Sequence, residues 1–342
     1  MKRVGSLLIG LLAFTLWFHY VGPREMWRSI QATHLGYFAI GFVFIFISHI
    51  FRIVRWQLIV RPLRAISFQQ VSKYYWASEY INSFMPLRLG EISKIAFLKK
   101  DYGIDAGESL STVAVDRLYG IVIRLVVLGA LPILAINLYP ILKGYLIYAV
   151  IFTTSILFLL VILLFSKAKM VPFASRMMRC LMPTRWVERI IHFLESSLAA
   201  VAKVHVRKMD IALFLVLSVL GLVAQALRTY FFFRAVALHA PWPIFLVTTT
   251  ISDFLAILPS PPASLGTTEW YANIVYTFGL GMSKSDVGGI SLLTHAVNLC
   301  ILGVLGMLCL ASIGQDILLR ETPVSRNGSL FRRASRGPEL QA

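Results

Sequence analysis

The chain has 342 residues, 58% of them hydrophobic and 14% charged, with a mean hydropathy of +0.75. Several apolar runs reach the ~20 residues that a helix needs to cross a bilayer, which excludes a soluble globular domain and points to an all-α polytopic membrane protein. Net charge is +17, from 33 Lys+Arg against 16 Asp+Glu. The basic residues cluster beside the apolar runs, the pattern left by the positive-inside rule and by contact with anionic lipid head groups, so no nucleic-acid partner is expected.

Val4 to Val21 reads as a retained first span, because no small-x-small cleavage site follows its apolar run. Gly22 to His34 reads as a polar loop carrying Arg24, Glu25 and Arg28. Leu35 to Ile59 is the second span, and its end carries Arg52, Arg55 and Trp56, with Arg61 and Arg64 beyond. Two readings of these arginines stay open. They snorkel to lipid phosphates beside an aromatic belt, or one of them meets a lipid phosphate inside the bundle.

Phe68 to Phe84 contains Lys73, Glu79 and Asn82 and has basic residues on both flanks, so it is expected to enter and leave by one face as a re-entrant element. The block Pro86-Leu87-Arg88-Leu89-Gly90-Glu91, with Lys94 after it, follows directly. Proline removes a backbone donor and glycine frees the chain from helical geometry, so the backbone should open here. Broken backbone at membrane depth is tolerated only where protein buries it or it lines a wet cavity. If a helix restarts after Pro86, Arg88 and Glu91 share a face, with Lys94 at its edge.

Ser109 to Asn137 carries Asp116-Arg117 near its start and Arg124 further in. A charge inside an apolar span costs at least ~2.5 kcal/mol, so Arg124 should face protein or water. Tyr145 to Phe165 is a clean span. Residues 166–210 form a long basic stretch in which Val187, Ile190, Ile191, Leu194 and Leu198 follow helical spacing, as in an amphipathic helix on the cytoplasmic membrane surface.

Ile211 to Leu238 is a span containing Gln225 and Arg228, and Pro241 and Pro243 mark a short external turn. Ile244 to Leu258 is too short to cross comfortably and contains Asp253. It runs into a second break, Pro259-Ser260-Pro261-Pro262-Ala263-Ser264-Leu265-Gly266, followed by Thr267-Thr268-Glu269. Val287 to Ile313 is the last span. Within it His295 is read as a helix-packing residue, with a proton relay as the alternative, and Asn298 as an interhelical residue. Cys300 and Cys309 are read as small core residues, and with Cys180 they form no metal or disulfide pattern. Residues 1–318 thus make one integral membrane domain, and 319–342 a basic, disordered cytoplasmic tail.

Placing both termini in the cytoplasm makes every strongly basic loop cytoplasmic, with about six full spans. The Pro86 element then enters from inside and the Pro259 element from outside. Two broken hairpins dipping from opposite faces are the signature of an inverted repeat with a substrate site between its halves.

The Pro86 to Glu91 block with Lys94, Asp116-Arg117 ahead of a span, and the Pro-rich Gly266-x-x-Glu269 together resemble the lysylphosphatidylglycerol synthase transmembrane, or flippase-like, family. The resemblance covers roughly residues 5 to 315. It implies an integral lipid-handling fold in a bacterial-type cytoplasmic membrane. The chain departs from the family's expected pattern in carrying Asp116 where a glutamate is usual and His295 in place of an arginine in the last span. No soluble aminoacyl-transferring domain follows Ile313, so lysylphosphatidylglycerol synthesis is not expected of this chain.

A flippase needs a cavity whose charges compensate a polar head group on its way past hydrocarbon. Arg88 is suited to a lipid phosphate, because its fork matches phosphate oxygens. Glu91 would orient Arg88 or meet a cationic head group, and Lys94 and Arg117 would guide the phosphate in. Asp253 and Glu269 form an acidic set from the other face, with Arg228 expected to pair with one of them. Gly90 and Gly266 would allow close backbone approach. The alternative is that Arg88–Glu91 and Asp116–Arg117 are buried ion pairs that only pin a hairpin.

The leading expectation is a translocase or transport accessory for a phospholipid or lipid-linked saccharide, with anionic head groups as partners and no cofactor. A transferase acting on a polyprenyl-phosphate lacks a metal-binding acidic pair, and Glu91 or Glu269 would have to serve alone as base. A non-catalytic partner of cell-envelope biosynthesis proteins is the third reading. No phosphate-binding loop of the G-x-x-x-x-G-K-[ST] type is present, so ATP hydrolysis is not expected.

Overall fold

The computed structural model describes residues 2–85, 89–135, 208–255 and 261–321. Every regular element among them is helical. In chain order these are α1 (Lys2–Val21), α2 (Pro23–Gln31), α3 (Leu35–Val60), α4 (Phe68–Phe84), α5 (Leu89–Tyr102) and α6 (Ala106–Ala135). There follow α7 (Lys208–Ala235), α8 (Trp242–Leu255), a 3-10 turn (Pro262–Ser264), α9 (Thr267–Ala272), a π-helical turn (Asn273–Phe278) and α10 (Lys284–Glu321). Three stretches among the described residues are long and apolar enough to cross a membrane: Leu35–Val60, Asp210–Ala235 and Lys284–Gln315. The chain is an all-α polytopic membrane protein.

Pro86, Arg88, Pro259, the Tyr145 to Phe165 span and residues 166–207 lie outside the described residues. The last residues of the expected basic surface segment, Lys208 to Asp210, already open α7. At the other end α10 continues to Glu321, past the expected domain boundary at 318.

The expected loop from Gly22 to His34 is largely a helix. Gly22, at φ 88, turns the chain, and Pro23 begins α2 with its φ already set for a helix. Met26 and Ser29 then face inward on one side of a short amphipathic helix. Trp56 is also not in an aromatic belt: it is 1% exposed in the core. Cys300, expected in the core, is on the outward face of α10.

The long apolar helix α3 lies along α7, and the core divides around the two breaks. One cluster gathers Ile53, Trp56, Tyr74, Tyr75, Leu98 and Ile313 around α4 and α5. The other gathers Ile45, Leu222, Phe232, Phe233, Phe245 and Tyr276 around α7, α8 and the π turn. Both breaks therefore lie between helices that pack on each other, α4 against α5 and α8 against α9.

The two break glycines sit where backbones touch. A Cβ on Gly90 would collide with the Ser78 carbonyl oxygen of α4. Gly266 has φ +80, and a Cβ there would stand 2.7 Å from the Phe14 nitrogen and 2.8 Å from the Gly10 carbonyl oxygen of α1.

Candidate functional site

Glu91 lies in the first turn of α5 and gathers polar groups from three helices. Arg117 of α6 pairs with its Oε1. Lys94 Nζ lies 3.4 Å from Oε2, and Asn82 Nδ2 lies 3.4 Å from Oε1. Lys94 is 3% exposed, with its ammonium 5.0 Å above the Trp56 ring and 5.3 Å from that of Tyr75. It is buried inside the first hairpin. Whether Arg88 joins Glu91 lies outside the described residues.

Asp116 and Arg117 do not pair with each other. Successive residues on an α-helix point about 100° apart, so the two side chains take partners on different faces of α6. Arg117 reaches α5, whereas Asp116 Oδ1 accepts from Arg55 Nε of α3 at 2.7 Å. Arg55 Nη1 also donates to Ser218 Oγ of α7 at 2.7 Å. That buried bond rules out the snorkelling reading for Arg55.

Arg124 faces protein, as its cost in lipid demands. Its Nε and Nη2 both lie 2.8 Å from Asp253 Oδ2 of α8. Arg52 lies within electrostatic reach of Tyr75, Asp253 and Glu79. Arg52, Arg55, Arg124 and Gln225 line a void of about 20 Å³ between α3, α6 and α7. Arg228 is close enough to feel Asp253 and Arg52. It forms no salt bridge or hydrogen bond among the described residues, so the expected ion pair with Asp253 or Glu269 is not made.

Glu269 opens α9 after the second break and is 0% exposed. Its Oε1 lies 2.5 Å from His295 Nδ1 of α10. The other ring nitrogen, Nε2, lies 2.9 Å from the Ala263 carbonyl oxygen. Ala263 and Ser264 hold the break in left-handed backbone, at φ 57 and 52, where a side chain is strained. Helix α1 braces this region: Trp17 Nε1 donates to Asn273 Oδ1 at 2.8 Å, and Trp270 Nε1 to the Ala13 carbonyl at 2.9 Å.

Beside the break is a cavity of about 260 Å³ between α3, α4, α7 and α10. Arg228 and Thr229 enter it from α7, Ser83 from α4, and Ser264 and Thr268 from the break. Helix α10 contributes Ser291, Thr294, His295 and Asn298, while Ile45, Phe232 and Phe233 supply an apolar wall. One guanidinium among hydroxyls suits a phosphate bearing further polar groups. Among the described residues no group of three or more His, Cys, Asp or Glu side chains is placed to hold a metal ion.

Of the residues singled out in the sequence, Arg228 lines this cavity and Glu269 supports its wall through His295. Glu91, Lys94, Asp116 and Arg117 form a separate network around the first hairpin, and Asp253 lies between the two regions. His295 and Asn298 line this cavity. Their signal was present: Ser291, Thr294, His295 and Asn298 recur at helical spacing and make a polar stripe in an otherwise apolar span.

Comparison with curated proteins gives no match. The family described as "Lysylphosphatidylglycerol synthase TM region" matches residues 3–306. The matched range takes in both hairpins, the charged network and the cavity. The chain therefore belongs to the lysylphosphatidylglycerol synthase TM region family and is a polytopic membrane protein of lipid-related processes.

Proposed function

We propose that the protein is a lipid translocase that carries an anionic head group through the cavity beside the second break. The observation that carries this reading is Arg228: a guanidinium without an ion-pair partner among the described residues, set in a hydroxyl-lined cavity inside an apolar bundle. A buried cation without a partner is costly. It is compensated when a phosphate arrives, and the fork of the guanidinium matches two phosphate oxygens.

The surrounding field favours the same ligand. Arg52, Arg124 and Arg228 all act on one carboxylate, Asp253. Phospholipids and lipid-linked saccharides both present a phosphate beside hydroxyl groups, which the serines and threonines of the cavity can meet. The charge distribution of the loops supports a bacterial-type cytoplasmic membrane with both termini inside, where cell-envelope biosynthesis proteins would be neighbours. The reading involves no covalent chemistry.

Reconstitution in liposomes tests it. Fluorescent anionic, cationic and zwitterionic phospholipids are placed in one leaflet, and the native chain is compared with Arg228→Gln. Equilibration selective for the anionic lipid, lost in well-folded Arg228→Gln, is the expected result. No movement of any lipid by folded native protein would overturn the proposal and favour the transferase or partner-protein readings.

A further inference from the structure

The proton inventory of the His295–Glu269 pair carries an inference beyond head-group binding. A backbone carbonyl only accepts, so the 2.9 Å contact between His295 Nε2 and the Ala263 oxygen requires a proton on Nε2. The 2.5 Å contact between Nδ1 and Glu269 Oε1 requires another, either on the ring or on the carboxyl. The pair therefore holds one proton more than a neutral imidazole and a carboxylate would. If that proton left, the one remaining ring proton could serve only one contact; held on Nδ1 by the Glu269 carboxylate, which is 0% exposed, it would leave an Nε2 lone pair facing the Ala263 carbonyl, and that contact would have to open.

The second carboxylate oxygen, Oε2, is buried without a hydrogen-bond partner among the described residues, so nothing else there compensates a bare charge. Few other charged groups face the pair. Arg228 stands across the cavity from α7. Asp253 of α8 is held by Arg124, and Tyr276 of the π turn donates to Thr248. Helix α1 turns Gly10, Ala13 and Phe14 to the break, and Lys284 is further along, bonded to the Tyr20 carbonyl. Helix α4 presents the neutral Ser83, with Glu79 a turn away.

We infer that Glu269 and His295 form a proton-binding site that gates the cavity. With the proton bound, His295 clamps the Ala263 carbonyl and holds the left-handed break shut. When the proton passes to water in the cavity, the clamp opens and the strained turn relaxes, moving the wall that Ser264 and Thr268 contribute. The gate itself stands on this geometry. Its use as the coupling step of transport rests on the translocase reading.

Hydrogen–deuterium exchange of the full-length protein in liposomes of phosphatidylethanolamine and phosphatidylglycerol tests the gate without any transport assay. The reporters are the amides of Ser264 and Leu265, which bond the carbonyls of Pro261 and Pro262. After correction for intrinsic exchange, their protection in the native chain should fall about ten-fold as the buffer is raised from about pH 5 to about pH 8. Glu269→Gln, whose amide can donate to Nδ1 as the protonated carboxyl does, should keep the protection high at every pH. His295→Ala should lose it at every pH.

A purely structural hydrogen bond would leave the native profile flat, and that result overturns the inference whatever the lipid assay returns. Glu269→Gln that folds and keeps the native pH dependence overturns it as well. If either variant fails to fold, the native profile decides alone. A pH-dependent break with no lipid movement keeps the proton gate and removes the translocase reading. Anionic-lipid movement with a flat profile does the reverse.

Discussion

Arg124 and Asp253, 129 residues apart in sequence, meet at 2.8 Å and tie α6 to the helix that leads into the second break. Arg124 is also within reach of Arg52 and Arg55, so Asp253 is the carboxylate that makes its burial tolerable. Removing one partner from a buried ion pair leaves an uncompensated charge and costs about 3 kcal/mol or more.

Asp253→Asn and Arg124→Leu should each therefore lower the thermal midpoint of the detergent-solubilised protein clearly. The double variant Arg124→Leu with Asp253→Asn should lose less than the sum of the two single changes. Strictly additive losses would show that the two side chains are not coupled.

Arg228 has the opposite signature. Without an ion pair among the described residues, its guanidinium contributes little to the folded state and its burial opposes it. Arg228→Met should leave the melting temperature unchanged or raise it, while anionic-lipid movement in liposomes falls at least ten-fold, which corresponds to about 1.4 kcal/mol. A large drop in stability would assign Arg228 a structural role instead.

The glycines separate close approach from simple flexibility. Gly266→Ala adds strain at φ +80 and a clash with the backbone of α1, so it should destabilise by about 1–3 kcal/mol and raise exchange in α9. Gly303→Ala, which meets nothing within 4 Å, should stay within about 1 kcal/mol of the native chain and tend to stabilise α10. Similar effects of both changes would mean that α1 does not press on the break.

Trp17 tests how α1 is fastened. Trp17→Phe keeps the ring packing but removes the donor to Asn273, which is 0% exposed, leaving its carbonyl oxygen short of a partner at a cost of about 1–3 kcal/mol. Exchange should rise in the π turn and in α1, with little change in α4 and α5, which pack in a different cluster from Trp17. Equal deprotection across both hairpins would show that the two clusters do not respond separately.

The primary structure by itself determined the solvent and the weak points of the fold. Apolar runs the length of a bilayer have no other stable environment, and proline lacks the backbone donor that a helix interior needs. It also determined that Arg124 must turn inward, because a charge in a span has to find protein or water. Tertiary structure alone decided the partners. Asp116 and Arg117, adjacent in the chain, are directed apart by the helical turn and bond Arg55 and Glu91, which come from other helices. The helical stripe from Ser291 to Asn298 was legible, but a stripe does not show what faces it. Only folding brought Arg228 to the same cavity and carried His295 to Glu269, because such contacts depend on how helices distant in the chain cross.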